Sequence, residues 1–158
     1  MHADFRPVIL LYGFFVILQF ATGASMYALR AGTLYEDSVE YYLGSEEAAR
    51  RFPGREDRFV APKTIAGIAK TQVSHSLAFG LMFFVLAHLI RSLGGDPRLT
   101  RLAIVTFFAI AMLDFVLPFL ALTGIDIFLR LRFPIVLLYS VVGGALAALL
   151  CARTFTSS

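Results

Sequence analysis

The chain has 158 residues, of which 58% are hydrophobic and only 16% are charged, and its mean hydropathy is +0.76. Soluble domains carry roughly 25% charged residues, so this composition excludes an ordinary soluble domain and predicts an integral membrane protein. The net charge of +3 comes without a basic stripe and interleaved aromatic residues, which excludes nucleic acid as a partner.

Four apolar segments reach the length of about 20 residues that a helix needs to cross a bilayer. They comprise residues 7–29, 72–92, 102–122 and 133–152. Backbone groups in hydrocarbon must satisfy their own hydrogen bonds, so we expect helices rather than strands. The predicted fold class is all-α, an integral membrane four-helix bundle, with residues 1–158 forming a single membrane domain. Four crossings place both termini on one side, but the arginines and lysines near the helix ends do not orient the chain.

The first apolar segment is interpreted as a retained span rather than as a signal peptide. Small residues at 21–25 resemble a cleavage site. However, the residues before the segment offer only Arg6 as a positive charge, offset by Asp4, and the apolar stretch is long. We therefore expect this segment to cross the membrane in the folded protein.

Residues 31–71 form the one long connection, and the stretch from Arg30 to Lys70 holds seven basic and seven acidic residues. The stretch "LYEDSVEYYL" is followed by Gly44, a typical helix terminator. Ser45 is positioned to cap a second helix, "EEAARRF", which Pro53 would end. We expect an interfacial, partly helical segment with tyrosines 35, 41 and 42 at the level of the lipid headgroups. The alternative is a docking platform for a partner subunit or a soluble electron carrier.

Small residues recur in the fourth span at four-residue spacing, in the row Ser140, Gly144 and Ala148, with Gly143 and Ala147 beside it. Such rows let helices approach closely. Packing within the monomer is favoured over a homodimer face. In the third span, Pro118 is expected to kink the helix and free a backbone carbonyl near Asp114.

Three ionisable residues, His75, His88 and Asp114, interrupt the predicted spans. Ionisable groups in hydrocarbon are costly and usually functional. With a rise of about 1.5 Å per residue, Asp114 lies near the midplane at a depth compatible with Gln19 and Tyr139. His75 lies further out on the side of the long connection. We expect a ladder of these four polar groups, in which Gln19, Asp114 and Tyr139 support a ligand or relay protons, and Asp114 bonds to one of the other three.

His75 and His88 lie 13 positions apart on one helix, which separates them by ~19–20 Å along its axis and by about 140° around it. They cannot bind one metal ion together, and no metal site is predicted. The spacing is similar to that of helices that hold one haem ligand in each leaflet, so both are candidate cofactor-binding residues for b-type haem. A second axial ligand would come from a partner chain or homodimer mate, from Met26 or Met112, or be missing. In the alternative interpretation, both histidines are structural.

Several short motifs follow one another in a characteristic order: Tyr41-Tyr42-Leu43-Gly44, Phe52-Pro53, Pro62-Lys63-Thr64, His75, His88-Leu89, and Asp114 with Pro118. In this order the chain resembles a family of small bacterial four-helix inner-membrane proteins. The resemblance covers nearly the whole chain. It implies a multi-pass protein of the bacterial inner (cytoplasmic) membrane in which the two histidines and Asp114 form one polar set. One position departs from the family pattern, because Leu77 replaces the second histidine of a His-x-His pair.

Together these features favour a redox-associated membrane subunit that holds b-type haem or lies beside a quinone, because only this hypothesis uses both histidines. The alternative is a non-catalytic accessory or assembly subunit of a membrane complex, with residues 31–71 as its contact surface. A transporter or channel component ranks third, since repeats and broken helices at matched positions are missing from the sequence. The expected partners are the lipid bilayer, and other membrane subunits or a homodimer mate. No nucleophile and base set, phosphate loop or zinc signature indicates a hydrolytic enzyme.

Overall fold

The computed structural model describes residues 5–54, 59–94 and 96–156, which form six α-helices and no strand. Four helices are long and apolar enough to cross a membrane: α1 (Arg6–Ala31), α4 (Ile65–Ser92), α5 (Pro97–Ala121) and α6 (Asp126–Thr156). Two short helices, α2 (Tyr35–Leu43) and α3 (Ser45–Arg51), lie in the connection between α1 and α4. This confirms the predicted all-α membrane bundle with a partly helical long connection. Each spanning helix begins before its predicted start, and α4 and α6 do so by seven residues.

Local sequence signals determine where several helices begin and end. Pro97 occupies the first turn of α5, and the Asp96 carboxylate accepts hydrogen bonds from the backbone amides two and three positions on, at 2.7 and 3.4 Å. Gly44 ends α2 with a φ of 89°, a conformation that strains other residues. Ser45 is not the N-cap that the sequence predicts. It is the first residue of α3, and its hydroxyl accepts a hydrogen bond from the Val60 amide at 2.8 Å.

The closest helix pair is α1 with α6, and glycines make the approach possible. A Cβ at Gly143 of α6 would overlap the Phe20 ring of α1, and a Cβ at Gly13 of α1 would overlap Cys151 of α6. Gly143 and its neighbour Ala147 are buried, whereas a Cβ at Gly144 would meet nothing within 4 Å. Small residues of α6 therefore serve packing within the monomer, as expected. The buried ones flank the predicted four-residue row rather than forming it.

Helix α4 is the most loosely held of the four spanning helices. Only 11% of its spanning window is buried, against 33% for α6. Two of its buried residues, Leu86 and Ile90, lie near the end that leads into α5, where the Tyr12 hydroxyl of α1 also donates a hydrogen bond to the Met82 carbonyl. The third, Ile68, packs against α2 and the α5–α6 region at the other end. Toward the long connection, α4 and α1 make little contact. The two helices are thus joined at one end and separated at the other.

The short helices α2 and α3 close the bundle on the side of the long connection. Val39 and Tyr42 of α2 and Ala48 of α3 pack with Ala121 and Leu129, where α5 ends and α6 begins, to form a second hydrophobic cluster. The Tyr42 side chain lies inside this cluster with 3% of its surface exposed, so it packs against protein, and its level relative to the lipid headgroups stays a prediction. We call residues 35–51 the cap.

Arg51 fastens the cap to the connection between α5 and α6. Its guanidinium donates to Glu47 and to Asp126, each at 2.8 Å, and to the Gly124 carbonyl at 3.2 Å. The hydrogen bond from Arg51 holds the pKa of the exposed Glu47 carboxyl below its ordinary value. Glu47 therefore pairs with Arg51 at neutral pH, and acidification that protonates the carboxyl removes this contribution.

The approach of α1 and α6 is tested by adding one methyl group at each of two adjacent glycines. We expect Gly143→Ala to lower the free energy of unfolding by about 1–3 kcal/mol, because Phe20 must move to make room. Gly144→Ala is the matched control, and we expect it to be neutral or slightly stabilising because alanine favours helix. Chemical unfolding in detergent micelles measures both. Equal effects of the two substitutions would contradict this account of the α1–α6 contact.

The role of Arg51 is tested by comparison with the adjacent Arg50, which pairs with Glu47 at the surface and, among the described residues, with no other acidic side chain. We expect Arg51→Gln to speed amide hydrogen exchange throughout residues 35–51, because the cap loses its bonds to Asp126 and Gly124. Arg50→Gln should leave exchange unchanged, since exposed ion pairs contribute little. The difference in amide exchange rate between Arg51→Gln and wild type should become smaller at acidic pH, because protonation of Glu47 removes its pairing with Arg51 in the wild type. If both variants exchange alike, the cap is held by its apolar contacts alone.

Candidate functional site

A buried positive charge lies where the cap meets the spanning helices. Arg132, in the second turn of α6, has only 4% of its surface exposed. Its Nε donates to the Tyr42 hydroxyl at 2.9 Å, and one terminal nitrogen donates to the Asp114 carboxylate at 3.1 Å. Removing one partner from a buried ion pair leaves an uncompensated charge and is strongly destabilising. Arg132 therefore ties α6 both to α5 and to the cap.

Pro118 explains a second bond that Arg132 makes to Asp114. Proline has no backbone N–H, so Pro118 leaves the carbonyl four residues earlier, that of Asp114, without its helical partner. The same terminal nitrogen of Arg132 donates to this carbonyl at 3.3 Å. The carbonyl that the sequence predicts to be freed near Asp114 is thus satisfied from the neighbouring helix.

Two tyrosines enclose the rest of the guanidinium. The central carbon of Arg132 lies 5.2 Å from the ring centroid of Tyr27 in α1 and 5.9 Å from that of Tyr42, within the range of cation–π attraction. Burial raises the pKa of Tyr42 more than the nearby charge of Arg132 lowers it, so Tyr42 is a neutral phenol at physiological pH. The Tyr27 hydroxyl is also buried, and it finds no hydrogen-bond partner in the part of the chain that the structure describes.

Beside Arg132, a cavity of about 610 Å³ extends into the bundle from beneath the cap. Helices α1, α2, α4, α5 and α6 all contribute to its wall. Its polar lining consists of Gln19, Thr22, Tyr27, Arg30, Tyr41, Tyr42, Lys63, Thr71, Gln72, His75, Asp114, Arg132, Tyr139 and Ser140. Cavities of this size bind small molecules and cofactors in other proteins.

Aromatic rings close the inner end of this cavity. Tyr139 of α6 packs edge to face against Phe20 of α1, with centroids 5.1 Å apart, and against Phe79 of α4, with centroids 5.9 Å apart. Behind it, Phe107 of α5 stacks on Tyr139 at 5.2 Å. The cavity therefore ends in the middle of the bundle and does not pass through it.

The side of the cavity between α1 and α4 is open. Gln19, Gly23 and Met26 on α1 are exposed, as are Thr71 and His75 on α4. This opening faces the zone that the bilayer occupies, because both helices are spanning helices. A molecule dissolved in the membrane can enter here without crossing the cap.

Most of the predicted site residues converge on this cavity. Gln19, His75, Asp114 and Tyr139 all line it. His88 does not, since it lies exposed on α4 and stacks on Phe84 with centroids 6.3 Å apart. The separation of the two histidines agrees with their helical spacing. One of them belongs to the cavity and the other to the opposite end of α4.

The partner of Asp114 differs from the prediction. Among the described residues, the Asp114 carboxylate pairs with Arg132, and no hydrogen bond joins it to Gln19, His75 or Tyr139. Arg132 was not predicted as a site residue, because the fourth span was predicted to start at residue 133 and "LRLR" was therefore placed in a loop. The available signal was Asp114 itself, since a carboxyl at that depth needs a positively charged partner.

Candidate ligands for a metal or haem are few in this cavity. Within the described residues, no group of three or more histidine, cysteine and acidic side chains is arranged to hold a metal ion. His75 is the imidazole in the lining, and the thioether of Met26 stands on α1 in the same lining. The other groups are hydrogen-bond donors and acceptors.

The Asp114–Arg132 pair is tested by a double-mutant cycle. We expect Asp114→Asn and Arg132→Met each to lower the free energy of unfolding, because each leaves the other group buried without its partner. The double variant should lose less free energy of unfolding than the two single variants together, with a coupling free energy of about 0.5–3 kcal/mol. The surface pair Glu47 and Arg50 serves as control and should show no measurable coupling. Additive losses at Asp114 and Arg132 would mean that the two groups act independently.

The sequence matches one known family of membrane proteins. A family model of a transmembrane helical domain, Aq_1264_TM, matches residues 32–158, which contain α2 to α6. No curated protein and no solved structure matches the chain. The family match, the four spanning helices and the exposed apolar surface agree that this is a multi-pass membrane protein in contact with the bilayer. Because the match covers most of the sequence, the chain belongs to the Aq_1264_TM family of transmembrane helical domains.

Proposed function

We propose that the protein is a redox-associated membrane subunit, located in the bacterial inner membrane, that binds its redox group in the cavity between α1 and α4. One observation carries the proposal: His75, Gln19, Asp114 and Tyr139 line a single cavity that opens toward the bilayer. Polar groups inside a membrane are costly and are usually retained for a function. The pairing of Asp114 with Arg132 accounts for two charges, but it does not explain His75 and Gln19.

A quinone is the ligand that the shape of the cavity favours. Its head carries two carbonyl oxygens that accept hydrogen bonds, and His75, Gln19 and Tyr139 are donors of the required type. Its isoprenoid tail is apolar and can leave through the opening between α1 and α4 into the lipid. The rings of Phe20 and Phe79 at the inner end supply an apolar surface against which a flat ring packs.

A b-type haem is the second candidate, and the position of Met26 favours it. His75 on α4 and Met26 on α1 line the same cavity, and together they are a ligand pair known to hold haem iron. Bis-histidine ligation within one chain is not supported, because His88 lies away from this cavity. A second copy or a partner subunit would have to supply the other histidine.

The alternative function, a non-catalytic accessory subunit, is supported by the surface around the cap. A surface cavity of about 460 Å³ lies between α3 and the α5–α6 connection, and beside it Phe59 is 93% exposed. A large exposed aromatic outside the spanning helices is suited to contact with another subunit. This role takes first place if the cavity between α1 and α4 binds neither haem nor quinone.

The two histidines provide a matched test of the redox proposal. We expect protein purified with native lipids, from cells supplied with haem, to retain extractable quinone or to show a Soret band. His75→Ala should reduce the retained group severalfold, because it removes a cavity donor. His88→Ala should leave it unchanged, because that side chain is exposed on the same helix outside the cavity. Chromatography of extracted quinones and the visible spectrum measure the two groups.

Two outcomes would contradict the proposal. If purified wild-type protein carries neither quinone nor haem, the proposal that it binds a redox group is wrong. Equal losses from His75→Ala and His88→Ala would show that the ligand does not bind in the cavity between α1 and α4.

A further inference from the structure

The outer end of the same cavity, beneath the cap, carries an excess of positive charge. Arg30, Lys63 and Arg132 line it, and Asp114 is the one carboxylate among the described lining residues. Asp114 is already paired with Arg132. Arg30 and Lys63 form no ion pair with an acidic residue in the described ranges, and Lys63 instead lies 4.5 Å from the Tyr41 ring centroid. Two positive charges at the mouth are therefore left without a counter-ion among these residues.

The guanidinium of Arg132 also has unused donors. Arginine has five N–H groups. Within the described residues, its Nε bonds to Tyr42 and one terminal nitrogen bonds to Asp114, while the second terminal nitrogen donates to nothing. Because Arg132 lines the cavity and is otherwise buried, an acceptor for this second nitrogen can come from the cavity or from the neighbouring Tyr27 hydroxyl.

The Tyr27 hydroxyl is a second group beside Arg132 that can donate to an acceptor in the cavity. It is a buried polar group that makes no hydrogen bond of ordinary length and angle to a described residue, although Tyr42 and Arg132 are its neighbours, and its ring forms part of the same wall. A buried donor without an acceptor costs about 1–3 kcal/mol. An oxygen that enters beside Arg132 would offer an acceptor to both groups.

We propose that the outer end of the cavity binds the phosphate group of an acidic membrane lipid. Phosphate oxygens match the unused donors of Arg132, and the negative charge matches Arg30 and Lys63. The acyl chains of the lipid fit the opening between α1 and α4, which leads into the bilayer. A basic pocket between spanning helices is a known way to bind an anionic headgroup. The inference goes beyond the redox proposal and does not rest on it, because the inner end with Gln19, His75 and Tyr139 is a separate part of the cavity.

The experiment compares lipids in nanodiscs of defined composition. Wild-type protein is placed in discs of phosphatidylcholine alone and in discs that also contain phosphatidylglycerol, and its melting temperature is measured in each. We expect the acidic lipid to raise the melting temperature, because a ligand that binds the native state stabilises it. Native mass spectrometry should show phosphatidylglycerol retained severalfold over phosphatidylcholine.

Matched variants locate the effect. Arg30→Gln combined with Lys63→Gln should remove most of the difference between the two discs. Arg50→Gln combined with Arg130→Gln removes the same charge from outside the cavity, on the same side of the bundle, and should preserve the difference. Tyr27→Phe should change the melting temperature in phosphatidylcholine little, since the hydroxyl makes no hydrogen bond of ordinary geometry to a described residue, and should reduce the gain from phosphatidylglycerol.

Three results would overturn the proposal. The first is the same melting temperature in both discs. The second is an equal loss in the cavity pair and the control pair, which would indicate general surface attraction. The third is a full gain from inorganic phosphate in phosphatidylcholine discs, which would show that a free anion rather than a lipid binds. Failure of the quinone and haem tests would leave this inference standing, because it is measured with lipids alone.

Discussion

The arrangement of the bundle depends on satisfying one buried positive charge. Arg132 cannot remain unpaired so far from water, and the groups that surround it come from different helices: Asp114 from α5, Tyr42 from the cap and Tyr27 from α1. Any shift of these helices relative to α6 would break a bond that water cannot replace at that depth. The charge is therefore less a source of net stability than a constraint on geometry, because dehydrating an ion pair offsets most of its attraction.

The cavity follows from unequal packing of the four spanning helices. Glycines allow α1 to approach α6 closely, and α5 is tied to α6 through Asp114 and Arg132. The first half of α4 is held by the buried Ile68 and by one hydrogen bond from Gln72 to the Phe115 carbonyl of α5. Among the described residues, its hydrogen bond to α1 lies further along, at Met82. The space beside that half of α4 stays unfilled by side chains, whereas a well-packed core leaves few such voids. An empty space of this kind, with polar groups directed into it, is suited to a ligand from the bilayer.

The cap gives this cavity one closed side and one open side. Tyr42 fills the centre of the cap and contacts Arg132 below, so the cap and the ion pair form one connected unit. The cap covers one end of the cavity, and the opening between α1 and α4 leads to lipid. This asymmetry is why both proposed occupants are amphiphiles with an apolar tail outside. The polar head of the redox group lies near His75 and Tyr139, and that of the lipid lies near Arg30 and Lys63.

The sequence by itself determined the membrane class, the four spans, the helical cap segment and a short set of polar residues that merit study. Composition and the length of apolar segments suffice for this, because a bilayer imposes the same requirements on every spanning helix. Even the freed carbonyl before Pro118 was predictable, since it follows from the chemistry of one residue. Only the tertiary structure decided that Arg132 is the partner of Asp114, that Tyr42 is buried, and that His75 lines the cavity while His88 does not. Those facts depend on how far an arginine side chain reaches and on which helix faces which. Helical periodicity places a residue on a face of its own helix, but it does not say which neighbour that face meets.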